Sequence, residues 1–130
     1  MRRFEKQQVS RAKRIGTYFE NQVCEFLVEK FPSVERRVMG GINDKGDVAG
    51  LKDWVLELKN HKQIDLAGFC DEAKKESENA GSRFWAVVAK RRNRNIKDCY
   101  VIMPLGQFRD ILVDLDYLDK LKMLKELDTM

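Results

Sequence analysis

Apolar residues recur at helical spacing near the start, middle and end of the chain, with unbroken or alternating apolar runs between. Over residues 15–31, Ile15, Phe19, Val23, Phe26, Leu27 and Phe31 fall at three- and four-residue steps, the period of an amphipathic helix that Pro32 and Ser33 would end. Residues 34–39, 46–49 and 54–59 read as three strands, the first two separated by the turn formers Gly40, Gly41, Asn43 and Asp44. Helical spacing returns over residues 64–80, where Leu66, Phe69, Cys70, Ala73 and Ser77 share a stripe, Asp65 suits an N-cap and Gly81 a C-terminal stop. Residues 84–89, FWAVVA, form a continuous apolar run, expected as a strand covered on both faces. A basic loop over 90–97 leads to a fifth strand, 99–103, stopped by Pro104. Residues 105–113 read as a short helix. After Asp114 or Asp116 a further helix carries Leu115, Leu118, Leu121, Leu124 and Leu127 at steps of three, to pack on its own chain or on a second copy.

Helix, three strands, helix, two strands and helix make an α/β fold: a mixed five-stranded sheet flanked by helices. The 130 residues suit one domain, with a basic arm over 1–14, a core over 15–104 and C-terminal helices over 105–130. Apolar content of 43% beside 35% charged residues is ordinary for a globular protein, and no apolar run approaches the ~20 residues of a membrane span. The basic start has no apolar stretch after it, so it is not read as a signal peptide, and a cytosolic location is expected. Three widely spaced cysteines, Cys24, Cys70 and Cys99, without a CxxC pair, argue against a disulfide framework or a zinc site and read as small buried thiols.

The formal charge of +4 is unevenly spread: Arg and Lys crowd the N-terminal arm, including Arg11, Lys13 and Arg14, and the loop with Arg91, Arg92 and Arg94, while acidic residues gather in the last twenty positions. Basic clusters set apart from an acidic segment suit a polyanionic partner, nucleic acid above all, and these arginines suit phosphate contacts. A solvated charged surface is the alternative reading of the same residues.

The chemistry concentrates in GDVAGLKDWVLELKN, residues 46–60. In a strand, Glu57 and Lys59 point to one face and Leu56 and Leu58 to the other. A hairpin centred on Lys52 would set Asp47 across from Glu57, and like charges so opposed are destabilising unless a cation lies between them. Glu20, beside the apolar stripe of the first helix, can add a third carboxylate. Two or three acids around Mg²⁺ or Mn²⁺, with a lysine beside them, supply what phosphodiester hydrolysis requires. Against this stands a plain edge strand with Lys59 in an ion pair. A single histidine, His61, disfavours His-metal and Ser-His-Asp chemistry and reads as a turn residue, though it, Lys62 and Gln63 could face the cleft. Without a GxxxxGK[ST] loop, no nucleotide cofactor is expected.

The spacing GD-x9-ExK, after a helix bearing Glu and before a helix and strand, resembles the PD-(D/E)xK nuclease superfamily. The segment RIGTYFE, residues 14–20, looks like the first helix of archaeal-type Holliday junction resolvases. GDVAGLKDWVLELKNHKQIDLAGFCDEAKKES with AVVAKRRNRNIKDCYVIMPL is also similar to phage-encoded proteins described as such resolvases. The resemblance spans residues 14–105, with Gly46 where the motif's name has Pro. It implies a restriction-endonuclease-like core (αβββαβ). Asp47, Glu57, the Leu58 carbonyl and Glu20 would be metal ligands and Lys59 the catalytic lysine. It further implies hydrolysis leaving 5′-phosphate and 3′-hydroxyl ends, and a homodimer placing two sites on a four-way junction. A general nuclease for branched or double-stranded DNA, or a catalytically silent DNA-binding module, remain alternatives.

Overall fold

A computed structural model describes residues 16–38 and 43–129. The basic arm, with Arg11, Lys13 and Arg14, and the Gly40–Gly41 turn lie outside the described residues.

Residues 16–28 are helical (α1). Phe19, Val23 and Cys24 are buried, as the spacing requires, but Phe26 and Phe31 are exposed. The helix gives way to a turn at residue 29, where Lys30 and Phe31 both donate to the Leu27 carbonyl, so Phe31 falls beyond the last helical turn. After α1 come β1 (Glu35–Arg36), β2 (Val48–Ala49), β3 (Trp54–Lys59), α2 (Leu66–Ala80), β4 (Phe84–Ala89), β5 (Tyr100–Ile102) and α3 (Leu105–Asp128).

The five strands do not form one sheet. β1 and β2 pair antiparallel as a two-stranded piece, and β3, β4 and β5 form a second sheet in that order. β4 runs parallel to β3, with Glu57 beside Val87, an arrangement that needs a crossover connection, here α2. β5 returns antiparallel to β4. The expected ladder between β2 and β3 is reduced to one backbone bond, Asp47 N–H to the Leu56 carbonyl at 2.9 Å, because the Asp47 side chain takes the next N–H along β3. The fold is thus mixed α/β, built on two small sheets.

Leu56 and Leu58 lie with Phe19, Val23, Val34, Val48, Ala86 and Val88 in one core cluster under α1. Full burial of one such side chain contributes about 1.5–3 kcal/mol. Val55 and Val87 are buried on the opposite face, which α2 covers with the fully buried Ala73. Helix α2 starts two residues later than its spacing suggests, at Leu66. Asp65 caps it by accepting from Gly68 N–H at 3.0 Å, and Gly81, left-handed at φ 63°, ends it. Its buried residues are Ala73, Glu76 and Ser77, while Leu66 is exposed. Phe84 and residues 86–89 of β4 are buried, in keeping with a strand covered on both faces. Cys24 is buried, whereas Cys70 and Cys99 are only partly so, and all three are free thiols.

Residues 105–128 form one continuous helix, not two, since no Gly or Pro follows Gly106 to interrupt it. At 1.5 Å per residue it is about 36 Å long. The Gln107 amide fastens its start to the part of β4 that the short β5 leaves unpaired, donating to the Trp85 carbonyl at 2.8 Å and accepting from the Trp85 N–H at 3.1 Å. Arg83 and Asp114 add an exposed ion pair. No α3 residue is buried. Steps of three fall back by about 60° each around a helix of 3.6 residues per turn, so the leucines spiral and do not form one stripe. Among the described residues no helix is long and apolar enough to cross a membrane.

Candidate active site

Gly46 brings the chain to the site. It takes φ 93°, and a Cβ there would stand 2.8 Å from a Val55 methyl and 3.1 Å from the Leu56 carbonyl. Only glycine combines that backbone conformation with so close an approach. Its N–H is held by Asp44 Oδ1 at 2.8 Å. Asp47 follows, bonding by its own N–H to Leu56, by its carbonyl to Arg37 N–H at 2.8 Å and by Oδ2 to Leu58 N–H at 2.7 Å. It therefore meets the residues flanking Glu57 and does not sit in a ladder position opposite it. Within a strand a residue's N–H and C=O turn to the same side, so the Leu58 carbonyl also emerges on the Asp47 side, where β2 no longer covers the edge.

Glu57 is 5% exposed and points toward α2. Lys59 shares that face: its Nζ lies 3.1 Å from Glu57 Oε1, 2.7 Å from Glu72 Oε2 and 5.0 Å from the centre of the Phe69 ring. Glu20 reaches the same region from α1, tethered by Arg36 of β1 at 3.3 Å. Glu20, Asp47, Glu57, Leu58 and Lys59 together line one cleft of about 550 Å³, which His61, Lys62 and Arg92 also border.

The carboxylates in and beside this cleft are hard to ionise together. Burial first, and then the neighbouring Glu57 charge, raise the Asp47 pKa to about 7, even though the Leu58 hydrogen bond pulls it down. Burial and the adjoining Glu76 raise Glu57 to about 9, against the pull of Lys59. Glu76 is raised to about 7, by burial first and then by Asp44, Glu72 and Asp47, against a lowering contact with Glu57. As two carboxylates, Glu57 and Glu76 offer each other no hydrogen bond, and Glu57 Oε2 and both Glu76 oxygens have no partner among the described residues. A proton shared between them, or a cation, would supply one. For Lys59, burial alone would lower the pKa, but contacts with Glu72 and Glu57 reverse that and hold it above the ordinary lysine range.

Among the described residues, the acidic set with oxygens all within 4.8 Å of one another is Glu57, Glu72 and Glu76; Glu20, Asp47 and Glu57 share the cleft without meeting so closely. Sequence spacing therefore found the cleft but missed Glu72, Glu76 and Arg36. A signal for Glu76 existed, because it lies three residues after Ala73 and next to Ser77, both of the apolar stripe.

Of the basic residues expected at nucleic acid, Lys62 and Arg92 line the cleft. Arg91 instead stacks on Tyr100, 4.5 Å from its ring centre, and Arg94 is exposed on the loop. His61 lies against Phe69, ring centres 5.2 Å apart. No family model, curated protein or solved structure matches this chain.

Proposed function

We propose that the chain is a divalent-metal-dependent DNA endonuclease of the PD-(D/E)xK type, selective for branched DNA and acting on four-way junctions. The observation that carries this reading is the pinning of Asp47 to Leu58 N–H at the free edge of β3, in one cleft with Glu20, Glu57, Lys59 and Arg92. The succession α1, β1, β2, β3, α2, β4 is also the element order of the restriction-endonuclease-like core that the motif implies.

The donors fit a hard cation. They are carboxylate and carbonyl oxygens, and buried carboxylates that repel one another and leave an oxygen unpaired are stabilised by such an ion. Asp47 Oδ2 is committed to Leu58, which leaves Oδ1 for Mg²⁺ or Mn²⁺, with Glu57, the Leu58 carbonyl and Glu20 directly or through water. When bound, the ion supplies Lewis acidity and lowers the pKa of water. Lys59, held protonated, acts as a positive charge beside the scissile phosphate and not as a general base. Lys62 and Arg92 hold the phosphodiester backbone in the cleft without reading sequence.

We infer further that the working unit is a homodimer built on α3. That helix exposes apolar side chains along its whole length, from Leu105 to Leu127, and none of its residues is buried, so it presents apolar surface for a partner to cover. It bears six acidic residues against four basic ones. An apolar groove of about 590 Å³ beside α1, lined by Phe26, Phe31, Leu51 and Val101, offers it apolar surface, and Lys52 and Lys97 at the border offer the opposite charge. The occupant assigned to that groove is α3 of a second copy.

The test is cleavage of a synthetic four-way junction, a flap and a linear duplex with identical arm sequences, in Mg²⁺ or Mn²⁺. Junction cleavage above duplex cleavage supports the reading. Equal cleavage of all three makes the protein a general nuclease, and binding without any cleavage makes it a DNA-binding module.

A further inference from the structure

On the α2 side of β3 stand two carboxylates that the cleavage chemistry does not use. Glu72 and Glu76 are four residues apart, one turn along the same helix face, and both reach toward Glu57. One oxygen from each of the three lies within 4.8 Å of the other two. Proximity of acids alone says little. What distinguishes this group is burial without partners among the described residues: Glu76 is 3% exposed with neither oxygen hydrogen-bonded, and Glu57 Oε2 is equally orphaned. Buried polar atoms are nearly always satisfied, so the three unpaired oxygens of Glu57 and Glu76, in a group this close, mark a missing partner.

The charges say what kind of partner. Lys59 reaches Glu72 and Glu57 Oε1 but not Glu76. Were all three carboxylates ionised, one ammonium would leave two negative charges without a counter-charge, and Asp44 and Asp47 nearby add to the negative field. The donors are all oxygen, with no His or Cys among them, which selects Mg²⁺, Mn²⁺ or Ca²⁺ over zinc. The Glu72 side chain is 47% exposed and opens the group to solvent.

We propose that Glu57, Glu72 and Glu76 form a second divalent-cation site on the α2 side of β3, sharing Glu57 with the Asp47 cleft. It rests on the cleavage reading only for that shared ligand, and binding there requires no DNA.

The test measures Mn²⁺ binding to the full chain by calorimetry, and by the loss of free Mn²⁺ signal in electron paramagnetic resonance, without DNA. Wild type is compared with Glu76→Gln, Glu72→Gln and Asp47→Asn. In the first two variants one class of Mn²⁺ binding weakens at least about tenfold, a loss seen even when a residue that merely orients a ligand is removed, while Asp47-dependent binding persists. Because Glu72 is on the surface, Glu72→Gln decides the matter if Glu76→Gln fails to fold. Wild-type Mn²⁺ binding in Glu72→Gln and in folded Glu76→Gln overturns the proposal, and points to a buried water or shared proton as the missing partner. DNA cleavage with Mn²⁺ binding indifferent to Glu72 and Glu76 refutes this site alone. Binding that depends on Glu72 and Glu76 in a protein that cuts no DNA refutes the cleavage reading alone.

Discussion

Asp47 Oδ2 accepts the backbone N–H of Leu58 at 2.7 Å. That bond interrupts the sheet and builds the cleft at once: a side chain takes an amide that a continued β2–β3 ladder would have used, and the strand edge past it stays open. The carboxylate is thereby fixed beside Glu57 despite their mutual repulsion.

Asp47→Asn is the cleanest probe of this arrangement. The Asn oxygen can still accept from Leu58, so the fold is kept while the charge is lost. Mg²⁺ or Mn²⁺ should raise the Tm of wild type by several degrees and that of Asp47→Asn by much less, since only an ion bound to the folded state stabilises it. Junction cleavage should disappear while junction binding in an electrophoretic mobility assay remains. A full metal-induced Tm shift in Asp47→Asn would remove Asp47 from the ligand set.

Lys59→Ala should lower cleavage by about a hundred- to a thousandfold, the range for removing one preorganised electrostatic contact to a transition state. Binding of the junction should change little. Since Lys59 stays charged across the working range, any pH dependence of cleavage near neutrality should survive in the residual activity of Lys59→Ala. A profile flattened by this substitution would make Lys59 the titrating group.

How much of this was legible in sequence depends on how local each determinant is. β3 and β4 were readable to the residue because apolar density and alternation are properties of the strand itself. The face shared by Glu57 and Lys59 followed from the same alternation. The single sheet was not a safe reading, because the break at Asp47 depends on a side chain reaching residue 58, a contact across eleven positions. Glu76 escaped notice for a related reason: its place beside the apolar stripe hinted at burial, but a helical Glu reads as surface unless its packing against β3 is known. The helix join near Asp114 was misread because acidic residues resemble caps, yet they sit without strain in the middle of a helix.

Raised carboxyl pKa values carry a sign for stability. Asp47, Glu57 and Glu76 stand at about 7, 9 and 7 in the folded chain, above their ordinary values near 4. The folded state therefore binds more protons than the unfolded state between about pH 4 and pH 9, and stability falls as pH rises through that window. In chelator, urea midpoints measured at pH 5, 7 and 9 should decline in that order. Glu57→Gln should flatten the decline and raise the midpoint at pH 9, because it removes the group hardest to ionise. A midpoint that climbs with pH would contradict the burial of these acids without a cation.

The spiral of leucines on α3 yields a prediction about assembly. If the helix is covered by a second copy, a charge placed on it should separate the copies without unfolding either one, since Leu118 and Leu121 are exposed within their own chain. Sedimentation should show a dimer for wild type and a monomer for Leu118→Lys with Leu121→Lys at the same concentration. Losing two buried leucines at about 1.5–3 kcal/mol each implies dissociation at least a hundredfold easier. The separated chains should keep their circular dichroism and their Mn²⁺ binding, because both metal-ligand groups lie far in sequence from α3. What they should lose is paired incision: nicks on a four-way junction would become independent, and unresolved, singly cut junctions would accumulate. A wild-type chain that sediments as a monomer at all concentrations would leave α3 without the second copy assigned to it.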